Sequence, residues 1–213
     1  MIQLHFDAPI NPLSFGNVSF NFLRELWKRQ ANISFFPQSN QANFEAFDKA
    51  NPELIEWIKK SGYSRYKTIN KSNPTLKLWH INGAEHRVAP NQFLYTFYEC
   101  DSPTQEEVAI VKSQEHVFFS SSESRDLFLE KGCSNVSYVP IGFDEDFHKT
   151  NKEGLMTLFK NDNLYDTSNV VFKDNQIVCY DKNNKTSGMN YIDYGLSIFN
   201  VSVFNIYPAD CSF

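Results

Sequence analysis

The chain has 213 residues, 41% hydrophobic and 21% charged, a length for one large domain or one and a half small ones and a composition too apolar for disorder. Twenty Lys and Arg against 25 Asp and Glu give a net charge of −5, so no overall basic excess is available to neutralise phosphates and nucleic acid is not expected as a partner. No apolar run reaches the ~18–20 residues that span a bilayer, and the first cation is Arg24, so no leader anatomy is read and the cytoplasm is the expected compartment.

Residues 2–6 form a short extended apolar run, and a loop rich in Pro and Asn follows through Gly16. Val18, Phe22 and Leu26 recur every fourth residue, with Leu23 and Trp27 widening the stripe, which predicts an amphipathic helix. Residues 33–36 read as a second strand. Asn51, Pro52 and Glu53 supply a cap, a first-turn proline and an acid near the positive helix end, and Gly62 a stop, so a helix is expected between them.

Extended segments follow at 76–80 and 92–99. Ser102-Pro103-Thr104-Gln105 fits a capping box opening a helix through about Ser113. Residues 116–120 read as a strand, 122–131 as a helix closed by Gly132, and 135–139 as a strand. Alternating strands and helices with short links predict a Rossmann-like α/β fold, a doubly wound parallel sheet over residues 1–148.

The texture then changes. A polar bridge at 149–153 is the expected linker, and beyond it come only strand-like runs, at 155–159, 169–172, 176–180 and 191–199. Lys173-Asp174-Asn175 is a natural hairpin turn between the second and third. Residues 154–204 are therefore expected as a β-rich extension, with 205–213 a short tail. The four cysteines, Cys100, Cys133, Cys179 and Cys211, lie far apart, form no metal spacing, and are expected as free thiols.

Several residues could carry chemistry. The loop through Gly16 and Asn17 lies where an open α/β sheet places ligands, and free N–H groups at a helix start favour phosphate. His80 follows a predicted strand and could bond a sugar hydroxyl, act as a base, or simply end the strand. Glu99 and Asp101 stand after another strand end, where they could bind hydroxyls, serve as a base, or sit solvated before the next helix. No Ser/His/Asp order or His-x-x-x-His spacing points to a hydrolase or a metal centre, and no metal is expected at these positions.

The run from His116 through Ser120-Ser121-Ser122-Glu123-Ser124 to Phe128, then Gly132, then Val139-Pro140-Ile141-Gly142-Phe143-Asp144 and Phe147, resembles the end of the amino-terminal domain of family 4 glycosyltransferases. The likeness spans about 1–148 and is sharpest over 94–148. It implies half of a GT-B fold, a nucleotide-sugar donor, a donor-diphosphate loop at Gly16 and Asn17, and an acceptor cleft holding His80 and Glu99. The Arg/Lys pair and Glu-x7-Glu motif of that family's second Rossmann-like domain are not read after Phe147, so the charge that stabilises a departing diphosphate is expected to be absent from these residues.

The later motifs, Gly154-Leu155-Met156-Thr157, Ser168-Asn169-Val170, Tyr180-Asp181-Lys182 and Tyr191-Ile192-Asp193-Tyr194-Gly195, resemble the middle of sugar-1-phosphate nucleotidyltransferases of the heptose- or hexose-1-phosphate guanylyltransferase kind. That likeness implies a sugar-phosphate pocket of Asn169, Asp181, Lys182, Asp193 and Gly195, with Mg²⁺ required only if the chain acts as such an enzyme. The family's Gly-Gly-x-Gly-x-Arg loop and its Gly-Asp metal strand are not found. The leading expectation is thus a sugar-nucleotide-handling, glycosyltransferase-like protein of surface-glycan synthesis, incomplete by itself, with a complementing chain among the expected partners. A nucleotidyltransferase fragment and a non-catalytic truncated fusion stand as the alternatives.

Overall fold

The computed structural model describes residues 3–47, 50–142, 154–164, 166–174 and 176–199. The chain divides into two units, Met1–Ile141 and Gly142–Phe213. The expected linker at 149–153, the tail at 205–213, Cys211, and Phe143, Asp144 and Phe147 of the glycosyltransferase-like motif lie outside the described residues.

In the first unit, β1 (Gln3–Ala8), β2 (Asn32–Pro37), β3 (Thr75–Leu78), β4 (Gln92–Thr96), β5 (His116–Phe119) and β6 (Val136–Tyr138) form one sheet in the order β2-β1-β3-β4-β5-β6. Every neighbouring pair is parallel. Helices α1 (Ser14–Lys28), α2 (Pro52–Tyr63), α3 (Arg65–Thr68), α4 (Gln105–Ser113) and α5 (Ser122–Glu130) lie in the connections. The α/β alternation expected from the sequence is present, in an architecture compatible with the Rossmann-like class.

Two cores cover the sheet. Phe6, Ala8, Phe35, Leu78 and Tyr95 pack with Phe20 and Leu23 of α1 and Leu54 and Ile58 of α2. Leu94, Val117, Phe119 and Val136 pack with Val111 of α4 and Phe128 of α5. Leu94 and Tyr95 are adjacent on β4 yet belong to different cores, and side chains alternate across a strand, so the two cores occupy opposite faces.

The caps explain where helices start. The Asn51 side chain accepts from Glu53 N–H with Pro52 at the first turn, as its sequence predicts. The cap of α4 falls two residues later than expected. Thr104 and Glu107 form the reciprocal box, not Ser102 and Gln105. A carboxylate is a stronger acceptor than an amide, and Glu107 also reaches neighbours that Gln105 does not (below). Ser121 caps α5 by accepting from Ser124 N–H, and Gly132, at φ +78°, ends the turn that follows it.

Under β1, β3 and β4 the second face is polar. His5, Thr75 and Gln92 stand in register across the three strands, and Asp7 stands opposite Lys77. All five are buried. Lys77 Nζ donates to Asp7 Oδ2 at 2.9 Å and to the His86 carbonyl at 2.9 Å. Burial pushes the Asp7 carboxyl up from its ordinary value, and Lys77 opposes that shift. These groups are roofed by residues 79–91, the β3–β4 connection, which has turns but no helix. Gln92 also bonds the roof, donating to the Ala84 carbonyl at 2.6 Å.

The second unit is an antiparallel sheet of β7 (Gly154–Lys160), β8 (Val170–Lys173), β9 (Gln176–Tyr180) and β10 (Tyr191–Phe199), ordered β7-β10-β8-β9. The expected hairpin joins β8 to β9, with Asp174 in the left-handed region at φ +50°. The β-rich extension is therefore present as a separate sheet.

Candidate functional site

The sheet order reverses at β1 and β3: the chain runs outward from β1 to β2, then returns to β3 on the other side. In open α/β sheets the crevice beyond the carboxyl ends of the strands at such a reversal is where ligands bind. A cleft of about 720 Å³ opens there. The exit of β1 contributes Asn11, Leu13, Ser14 and Phe15, the exit of β3 contributes Trp79 through Asn82, and the exit of β4 contributes Phe97 through Cys100.

Aromatic rings build its wall. Phe15 lies 5.6 Å from Trp79, 4.6 Å from Phe97 and 4.6 Å from the His80 ring, centroid to centroid, and Trp79 lies 5.2 Å from His80. His80 is thus held between two rings with its nitrogens making no hydrogen bond among the described residues. Gly83, at φ +94°, makes the turn that brings this loop back past Trp79. Glu99 is exposed on the same cleft and likewise has no bonded partner among the described residues.

Glu107 reaches the cleft from the first turn of α4. It accepts from Thr104 N–H at 2.9 Å, from the Tyr98 hydroxyl at 3.2 Å and from Asn82 Nδ2 at 3.3 Å. One carboxylate therefore fastens the β3 exit, the β4 exit and the α4 cap together. Burial first, and Glu107 next, push the Tyr98 hydroxyl up, so it remains a donor to that carboxylate. A second, smaller cleft of about 400 Å³ continues from Glu99, Cys100 and Asp101 to Ser121, Glu123 and Ser124 at the start of α5.

The structure brings His80 and Glu99 to one cleft. Gly16 and Asn17 lie in the first turn of α1 rather than in the loop, because α1 begins at Ser14. A Cβ built on Gly16 would fall inside the backbone and side chain of Asn11, so the close approach this glycine permits is that of its own loop. Neither residue lines the cleft; Asn11, Leu13 and Ser14 do.

In the second unit, Asn169, Asp181 and Asp193 are drawn together. Asn169 Oδ1 accepts from Asp193 N–H at 2.9 Å, the Asn169 carbonyl accepts from Asp181 N–H at 3.0 Å, and Asp193 Oδ2 accepts from the Tyr180 hydroxyl at 3.0 Å. The Asp181 carboxylate is engaged locally. It accepts from Asn183 and Asn184 N–H, both at 2.8 Å, and these backbone and Asn184 side-chain bonds hold it below its ordinary range. Lys182 Nζ lies 5.9 Å from the Tyr180 ring. Gly195 falls where the β10–β7 register shifts, between Asp193 and Ser197.

Sequence reasoning missed the aromatic wall and Glu107. The signals were present: Trp79 directly precedes His80, and Thr104-x-x-Glu107 is itself a box pattern. A scan against protein-family models finds no match, and neither the curated proteins nor the solved structures provide one.

Proposed function

We propose that this chain is a glycosyltransferase-like protein of surface-glycan synthesis, and that its α/β unit supplies the wall of half a GT-B fold that receives the acceptor saccharide. The observation that carries the reading is the cleft at the reversal of strand order, where His80 and Glu99 present free polar ends beside Phe15, which packs at a tilt on Trp79 and on Phe97. Aromatic faces suit the apolar face of a sugar ring, and a free carboxylate and imidazole suit its hydroxyls. Among the described residues no Lys or Arg lines this cleft, so a sugar fits it better than a diphosphate does. The positive charge that a departing nucleoside diphosphate needs comes, on this reading, from a complementing chain or domain.

The test is binding to the full chain by calorimetry. Oligosaccharides are expected to bind, with Glu99→Gln and His80→Ala each weakening affinity about tenfold, a ΔΔG of about 1.4 kcal/mol. UDP and GDP are expected not to bind measurably in the cleft. Unchanged saccharide affinity in both variants, or tight nucleotide binding lost in either, would reject the reading.

A sugar-1-phosphate nucleotidyltransferase fragment is the second reading, and the contact of Asn169 with Asp193 favours it, the Asp181 carboxylate being taken up by its own turn. Pyrophosphate release from a nucleoside triphosphate and a sugar 1-phosphate, with Mg²⁺ and a complementing chain supplied, is the measurement that would place it first. A melt without either activity would favour a non-catalytic fusion.

A further inference from the structure

The net charge conceals a sharp asymmetry. Six of the twenty Lys and Arg fall between Glu56 and Glu85, a stretch of 28 residues without a single Asp or Glu. The rest of the chain holds fourteen cations against 25 acids. One of the six, Lys77, is buried in its pair with Asp7. The others lie on the end of α2, on α3 and just beyond, beside the edge strand β2.

Lys59, Lys60, Lys67 and Lys71 are exposed and make no ion pair among the described residues. Arg65 is held in place, donating to the Gly62 carbonyl at 2.6 Å and to Asn40 Oδ1 at 3.1 Å, with its guanidinium 4.6 Å from the Tyr66 ring. Two large aromatic side chains project among these cations: Tyr63 is 83% exposed and Tyr66 68% exposed. Tyr66 keeps one edge against Phe36 of β2, with ring centroids 6.1 Å apart.

Helix polarity explains part of this. Lys59 and Lys60 occupy the last turns of α2, where cations offset the negative helix end. It extends to Lys67 in the last turn of α3, but it explains neither Lys71, beyond that helix, nor two tyrosines left in water. Both clefts described above are lined by other residues, so the patch belongs to neither. A single-stranded nucleic acid is held along a groove that follows its backbone, whereas a bilayer takes up an exposed patch of cations and amphipathic rings directly. Tyrosine, apolar in its ring and polar at its tip, suits the headgroup level.

We propose that this patch docks the protein on an anionic lipid bilayer, with the lysines at the headgroup phosphates and Tyr63 and Tyr66 seated between headgroups. No helix of the described residues is long and apolar enough to cross a membrane, and this attachment needs none. It is independent of what the cleft binds.

Sedimentation of the full chain with vesicles tests this. Binding is expected to vesicles containing about one-third phosphatidylglycerol, to be weak with phosphatidylcholine alone, and to fall steeply at high salt. Each cation near such a surface is worth about a fivefold change in partition, so Lys60→Gln, Lys67→Gln and Lys71→Gln together are expected to lower it about 100-fold. Tyr63→Ser with Tyr66→Ser is expected to lower it as well. The lysine variant and Tyr63→Ser alone should keep the parent melting temperature because those side chains are exposed, whereas Tyr66→Ser also gives up its Phe36 and Arg65 contacts. Equal sedimentation with neutral and anionic vesicles, none with either, or tighter binding of single-stranded RNA than of anionic vesicles would overturn the proposal.

Discussion

Lys77→Met is expected to destabilise the α/β unit by about 3–5 kcal/mol, read as a fall in the urea midpoint. The substitution leaves the Asp7 carboxylate buried without its cation, 2.9 Å from where Nζ stood, and frees the His86 carbonyl that the same ammonium ties down. Asp7→Leu combined with Lys77→Met removes both charges, and is expected to recover most of the loss because an apolar pair incurs no cost for desolvating charge. The pH dependence has a definite sign. The Asp7 carboxyl is already raised by burial, so its contribution to stability is fully present below the ordinary carboxylate pKa and is lost as pH rises through the raised value. Removing Lys77 raises it further. The deficit of Lys77→Met is therefore expected to narrow as pH falls and Asp7 becomes neutral. A deficit that widens on acidification, or a double variant no more stable than the single one, would contradict this account. Because Lys77 anchors the roof that continues from Trp79 and His80, the single variant should also weaken saccharide binding at the cleft.

This pair also marks the limit of what could be read from the chain. The helices α2 and α5 were legible because their caps are local: Asn51-Pro52-Glu53 and Ser121 with Ser124 act within three residues. The end of β1 was not. Asp7 looks like a terminator of an apolar run, yet it is a buried strand residue because its partner lies 70 positions away. The same holds at the site. His80 and Glu99 were identifiable individually as polar residues after strands, but Phe15, Trp79 and Phe97 form a wall only when β1, β3 and β4 are side by side. Asp181 shows the opposite case, a residue type suited to a ligand whose bonds are spent on the turn that follows it.

Gly16→Ala is expected to cost about 3 kcal/mol, against the usual sign for its position. Within a helix, alanine in place of glycine ordinarily gains about 1 kcal/mol, and Gly62 near the end of α2 shows why it should: a Cβ there meets Phe35 at 3.7 Å, an ordinary contact. At Gly16 the same atom would fall within Asn11, whose side chain accepts from Leu13 N–H at 2.9 Å and so shapes the loop entering α1. Backbone cannot swing aside as a flexible side chain does, so the loop must move and the overpacking cost exceeds the propensity gain. The comparison separates two roles for this glycine. If Gly16 existed only to let a diphosphate approach, Gly16→Ala would raise the melting temperature as Gly62→Ala should, and would weaken nucleotide binding alone. If it exists to seat Asn11, Gly16→Ala lowers the melting temperature while Gly62→Ala raises it, and saccharide affinity falls because Asn11, Leu13 and Ser14 line the cleft. The second pattern is the expected one, since the space beside Gly16 is already filled by the chain itself.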